Sequence, residues 1–196
     1  MKIGLLSIFP YHNFGGILQL YALQRILKEK GHEAWAIKRQ KGIMPFWRVP
    51  LAFVKRVILK YVFFREIDLF IERTIAQREK ILYSNTSKFI NKYIQPQTFP
   101  IYFKKDLIKM KKKYGFEGYV VGSDQVWRPK YLPVGLDEYF LSFTEDDNVI
   151  RVAYSASFGT DEWEYTKEQT EMSSRLAKKF NNVSVREKSA INLCKS

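Results

Sequence analysis

Four groups of residues in this chain have types and spacings suited to chemistry, and each follows or closes a short apolar run. His12, Asn13, Gly15 and Gly16 follow the run Lys2–Ile8. Ser123, Asp124, Gln125 and Trp127 follow GYVVG at Gly118–Gly122. Ser155, Ser157, Phe158 and Gly159 close and follow Val149–Ser155, and Ser184 and Arg186 stand at Val183–Val185. Glycines let backbone N–H groups approach an anion, and a helix start adds positive potential. Serine hydroxyls and an arginine fork suit carboxylate or phosphate oxygens. Together these groups describe a polar site for an anionic small molecule.

Every member of the set also has a structural reading, and the residues alone leave both open. Gly15–Gly16 can simply turn a strand into a helix, and it is no dinucleotide fingerprint. Asp124 can cap a turn, and Trp127 can lie in the core. Ser155 and Ser157 can serve close packing, and Arg186 can pair with Glu187. His32 reads as structural or exposed. Metal chemistry finds no support: two His lie far apart and no acidic cluster has ligand spacing. Glu145, Asp146 and Asp147 read as a solvated turn. Cys194 has no His nearby in sequence to activate it as a nucleophile.

The elements that must position these residues follow from periodicity. Lys2–Ile8 predicts a buried strand. From Ile17, apolar residues recur at three- and four-residue spacing through Leu27, then Gly31 stops the helix. Glu33–Ile37 predicts a second strand, which completes a βαβ unit with a parallel pair. Past Pro50 the pattern predicts a basic, aromatic-rich amphipathic helix that continues or restarts through Leu82. Phe89–Ile94 is a short helix or strand, and Tyr102–Lys113 is helical. Strands follow at Gly118–Gly122, Val149–Ser155 and Val183–Val185. A helix spans Thr166–Phe180, with Thr166 and Gln169 forming a capping box, and another begins over Arg186–Cys194. The expected fold is α/β, a Rossmann-like parallel sheet flanked by helices, with a basic helical insertion at about 45–82. In such sheets ligands bind beyond the carboxyl ends of the strands, where the polar groups fall.

Composition narrows the classes. The chain has 196 residues, 46% of them apolar, which supports a core and excludes wholesale disorder. The N-terminus is too short in its apolar run for a signal peptide, and no window matches a membrane span, so a cytoplasmic protein is expected. A single cysteine excludes an intrachain disulfide and a Cys-rich zinc site. The net charge of +13 is uneven: Met1–Lys113 holds 23 basic and 7 acidic residues, Tyr114–Ser196 only 10 basic and 13 acidic. Lys38–Arg65 carries eight cations and no acid, interleaved with aromatics such as Phe46, Trp47 and Phe53. Such asymmetry points to an anionic partner. Nucleic acid is not expected, because no RRM, KH, helix-turn-helix or OB pattern is present.

Four blocks carry a resemblance. IFPYHNFGGILQLYALQRILKEKGHEA, YVVGSDQVWRPKY, RVAYSASFGTDEW and VSVREKSAINLC resemble, in order, the polysaccharide pyruvyl transferase family, and GSDQVW with a downstream Ser184-x-Arg186-Glu187 is its most specific combination. The segment from about Lys38 to Met110 carries no such motif. The resemblance implies transfer of a pyruvyl unit from phosphoenolpyruvate to a sugar hydroxyl pair, giving a ketal on a cell-surface polysaccharide or its lipid-linked precursor. No cofactor beyond that donor is implied. It implies one half of a GT-B-like two-domain transferase, with Arg186 on a donor anion and Asp124 as a base. Ser123 and Gln125 would then meet sugar hydroxyls. Members continue into a second domain, so a missing domain or partner chain is expected for a sequence that ends at Ser196. Arg128 departs from the family, where Asn commonly follows the Trp. The basic stretch suits peripheral contact with an anionic inner membrane face. Two alternatives stay open: a glycosyltransferase domain using a nucleotide sugar, and a non-catalytic basic module that binds an anionic glycan or a membrane.

Overall fold

The computed structural model describes residues 1–8, 13–40, 48–61, 64, 83–132, 135–145 and 148–195. His12, Phe46, Trp47, the acidic pair Asp146 and Asp147, and all but Phe64 of the expected helical stretch past Tyr61 lie outside the described residues.

Five strands form one parallel sheet: β1 (Lys2–Leu6), β2 (Glu33–Ala36), β3 (Gly118–Gly122), β4 (Ile150–Ala156) and β5 (Asn182–Val185), in the order β2-β1-β3-β4-β5. The helices are α1 (Phe14–Glu29), α2 (Arg48–Tyr61), α3 (Ser84–Tyr93), α4 (Lys104–Tyr114), α5 (Leu136–Tyr139), α6 (Lys167–Ala177) and α7 (Lys188–Leu193), with a 3₁₀ turn at Ser142–Thr144. Central β1 and β3 are almost wholly buried, whereas β2, β4 and β5 alternate or are exposed. This explains why GLL and GYVV read as unbroken apolar runs: helices cover both faces of a central parallel strand. Registry places Leu5 beside Val120, and Val120 beside Val152.

Two hydrophobic clusters lie on the two faces. On one, Ile3, Leu5 and Val120 meet Ile17 and Leu20 of α1 with Ile90 and Ile94 from α3 and its end. On the other, Leu6, Tyr119, Val121 and Ala153 meet Leu107 and Met110 of α4, Tyr139, Leu176 and Ala190. Each fully buried Leu or Ile stabilises the fold by about 1.5–3 kcal/mol relative to exposure. Gln24, 1% exposed, is the polar exception: its Nε2 donates to Ala34 O (2.9 Å) and Pro96 O (3.0 Å). That pins α1 to β2 and to Pro96, just before the Gln97–Ile101 stretch that bridges Ala36 and Arg39 in parallel and covers this sheet edge.

The expected strands are present, each within a residue or two of its predicted ends. Helix α1 begins at Phe14 rather than Ile17, because Asn13 caps it: the Asn13 Oδ1 accepts from Gly16 N at 3.2 Å. Gly15 and Gly16 are therefore the first turn of the helix, not a loop. The ambiguous Phe89–Ile94 is helical through Tyr93, with Ile94 as the cap of α3. The capping box of α6 forms as read, with Gln169 N donating to Thr166 Oγ1 (3.3 Å) and Thr166 N to Gln169 Oε1 (3.0 Å). Among the described residues, no helix is long and apolar enough to cross a membrane.

Candidate active site at the carboxyl edge of the sheet

Three of the four polar groups meet at the carboxyl ends of β3, β4 and β5. The β3 loop is stitched to the β4 loop by backbone bonds, Ser157 N to Asp124 O (3.1 Å) and Trp127 N to Ser157 O (3.2 Å). The β5 end joins them through Arg186 N to Ala156 O (3.0 Å), and Ser155 N donates to Ser184 Oγ (2.9 Å). Parallel strands side by side bring their following loops to one edge, which is why residues up to 63 positions apart in sequence converge here.

At the centre sits Ser157, fully buried. Its hydroxyl accepts from Gly159 N (2.9 Å) and from Arg186 Nη2 (3.1 Å), and it donates to Glu187 Oε1. Arg186 Nη2 also reaches Glu187 Oε1 at 3.1 Å. The Arg186 side chain is 40% exposed, and its Nε and Nη1 make no hydrogen bond among the described residues. A guanidinium anchored at one nitrogen, with further donors unused, is positioned to take an anion. Glu187 Oε2 is buried with no partner among the described atoms.

Ser123 and Ser155 adopt left-handed backbone, φ 64° and φ 51°. A non-glycine residue there costs on the order of 1–2 kcal/mol, and such strain gathers at functional sites. Both occupy equivalent places, immediately after β3 and near the end of β4. Ser123 N donates to Tyr154 O at 2.9 Å, so the turn ties the two strands as it leaves the sheet. Gly122 allows this approach: a Cβ there would lie 2.9 Å from Tyr154 O.

Gln125 is held against Gly159, and its Oε1 accepts from Arg128 Nη1 at 3.2 Å. Arg128 makes a two-point pair with Glu164, 3.1 Å at each contact. Hydrogen bonding to Glu164 raises the Arg128 pKa, and the same bond lowers that of Glu164. Asp124 Oδ1 accepts from Gln125 N at 2.8 Å, an interaction within its own turn. Trp127 faces the core rather than the open side of the loops. It is 1% exposed, stacks on Phe140 at 4.9 Å and 6°, and donates its Nε1–H to Tyr139 O at 3.2 Å. Its place is to anchor the β3 loop.

The remaining group is divided. Asn13, Gly15 and Gly16 lie at the start of α1, by the carboxyl end of β1, the neighbour of β3. Beside them a shallow crease is lined by Ser7, Gln19, Leu20, Gly122 and Ser123. His12 falls outside the described residues. Among the described residues no group of three or more His, Cys, Asp or Glu side chains is placed to hold a metal ion.

A family model for polysaccharide pyruvyl transferase matches residues 13–195. The chain belongs to that family. Neither a curated protein nor a solved structure matches it. The family match takes in every loop of the site from Asn13 to Glu187. The residue types place Arg186, Ser157 and Gly159 in the site, whereas Glu187 enters only as a pairing partner of Arg186 and as part of a motif. The signal for Glu187 was its position in Ser184-x-Arg186-Glu187. Nothing in the residue types announced the strained backbone of the two serines.

Proposed function

We propose that this protein transfers the pyruvyl unit of phosphoenolpyruvate to two hydroxyls of one sugar, leaving a cyclic ketal on a cell-surface polysaccharide or its lipid-linked precursor. The observation that carries this reading is the family match, which runs through all the loops gathered at the sheet's carboxyl edge. The chemistry asks for three things. A proton must reach the donor's methylene carbon, which leaves its neighbouring carbon electron-poor. A sugar hydroxyl then attacks that carbon and loses its proton to a base. Phosphate departs, the second hydroxyl attacks the same carbon and loses its proton, and the ketal closes. Of the two hydroxyl protons released, one makes good the proton added to the methylene carbon and the other leaves on the phosphate, which departs as hydrogen phosphate.

Arg186 is suited to the carboxylate or phosphate of the donor, since its Nε and Nη1 are unengaged among the described residues and it is half-exposed. Asp124 is the carboxylate of the β3 loop and takes the role of base. Ser123 and Gln125 fit sugar hydroxyls, and Ser155 and Ser157 shape the floor between strands. Asn13, Gly15 and Gly16 border the same edge at β1, and His12 precedes them in the sequence. In this reading the sheet is one lobe of a GT-B-like transferase that works in the cytoplasm, and a second lobe or partner chain completes the cleft.

The test is phosphate release from phosphoenolpyruvate with a panel of candidate sugars, using a chain that includes any second domain. Arg186→Ala is expected to weaken donor binding at least tenfold, since a charge-assisted bond contributes about 1.5–3 kcal/mol. Unchanged donor binding would remove Arg186 from that role, and no sugar-dependent phosphate release from the intact enzyme would remove the reading.

A further inference from the structure

Helix α2 is chemically unlike the rest of the fold. Among the described residues, none of it enters either hydrophobic cluster. Its most exposed apolar side chains are Leu51 (64%), Val54 (54%), Ile58 (45%) and Tyr61 (63%), with Phe53 (36%) off their line. The first four stand at i, i+3, i+7 and i+10, so they form a stripe along one face. Lys55 lies on the flank of that stripe, four residues after Leu51 and three before Ile58, and it is exposed. The helix also carries Arg48, Arg56 and Lys60, and no acidic residue occurs between Lys38 and Arg65. Phe64, just past the helix, is 88% exposed.

We propose that α2 is a docking element for an anionic bilayer surface, lying in the interface with Leu51, Val54 and Ile58 among the acyl chains and its cations at the headgroups. Charge and shape together choose this occupant. A polyanion such as a nucleic acid would use the cations and leave the apolar stripe in water. A second protein of ordinary composition would use the stripe and make no use of Lys55 and Lys60 beside it. An anionic bilayer uses both, and tyrosine at the helix end suits the headgroup level. Binding strength comes from buried apolar area plus attraction to anionic lipid, the latter about 1 kcal/mol per cation near the surface. The length of α2, 14 residues, fits a helix that rests on a membrane and is too short for one that crosses it. This surface is separate from the loops at the sheet edge, and the proposal does not rest on the pyruvyl-transfer reading.

The experiment is co-sedimentation of the full chain with vesicles of phosphatidylcholine alone and of phosphatidylcholine with about one-third phosphatidylglycerol. Binding to the anionic vesicles only is expected, and it should fall steeply toward about 1 M salt, where the Debye length shrinks to about 3 Å. Leu51→Glu with Ile58→Glu should lower partitioning at least tenfold. Each of Lys55→Ala and Lys60→Ala should lower it about fivefold. Both stripe residues are already exposed, so circular dichroism and the melting temperature should not move. Three results overturn the proposal: equal or absent sedimentation with the two vesicle types, wild-type sedimentation by the stripe variant, or a dimer that Leu51→Glu dissociates while vesicle binding persists. Phosphate release measured without vesicles reads the pyruvyl-transfer proposal separately, so either can fail alone.

Discussion

Replacing Gly159 by alanine tests whether the β3 and β4 loops are locked together as the site requires. Gly159 sits at φ 65°, and a Cβ there would lie 2.2 Å from Gln125 Oε1, 2.4 Å from its Cδ and 2.8 Å from its Cγ. Two costs follow, and they have different origins. Left-handed backbone costs an alanine about 1–2 kcal/mol wherever the neighbours stand. The collision adds about 1–3 kcal/mol, because three atoms of Gln125 must move and its bond from Arg128 Nη1 is lost. The expected total is a loss of about 2–5 kcal/mol. In a Gln125→Ala background the collision is gone, so Gly159→Ala should cost only about 1–2 kcal/mol. The coupling between the two positions is then about 1–3 kcal/mol. Urea unfolding of the four proteins of this cycle measures it, with melting temperatures as a second readout at about 2–4 °C per kcal/mol for a chain of this size. Additivity within about 0.5 kcal/mol would refute the reasoning, since it would mean that Gln125 does not occupy the space beside Gly159.

Further substitutions probe the same architecture. Ser157→Ala removes the shared hydroxyl of Gly159, Arg186 and Glu187, and a stability loss of about 1–3 kcal/mol in urea unfolding is expected. Arg39 pairs with Glu138 through Nε at 2.6 Å and also donates to the carbonyls of Gln40, Ile101 and Tyr102. Because the Glu138 side chain is only 4% exposed, Arg39→Met should cost about 3–5 kcal/mol, and adding Glu138→Leu should restore most of it, as thermal melts would show. Acid should destabilise the fold through Asp137 and Glu164. Burial pushes the Asp137 carboxyl up, but hydrogen bonds from Lys104 (2.6 Å) and Ser142 (2.7 Å) outweigh it and hold its pKa below the ordinary value. Glu164 is lowered by Arg128. Both folded pKa values lie below the unfolded ones, so their stabilisation is complete above the ordinary carboxylate range. It is lost as pH falls below about 4, and Lys104→Ala should flatten that acid limb.

Much of the fold was legible because its signals are local. GYVVG is a buried strand on composition alone, and Thr166 with Gln169 marks a helix start through a bond between residues three apart. Helix α1 was read three residues short because glycines at 15 and 16 look like a loop until Asn13 is seen to cap them. Short α5 has no sequence period to reveal it. Its Glu138 is tied to Arg39, 99 positions away.

The site divides along the same line. By itself the sequence determined that polar residues follow four of the five strands, that the first part of the chain is basic, and that the motifs resemble one transferase family. These are properties of residue order and composition. Only the tertiary structure decided which of those residues meet. It put Trp127 in the core beneath its loop and brought Ser157, Arg186 and Glu187 onto one hydroxyl. It also imposed left-handed backbone on Ser123 and Ser155, which nothing in a serine requires. The reason is that a parallel sheet aligns the ends of strands from distant parts of the chain, so contact at its edge is set by strand order, which residue order alone does not encode.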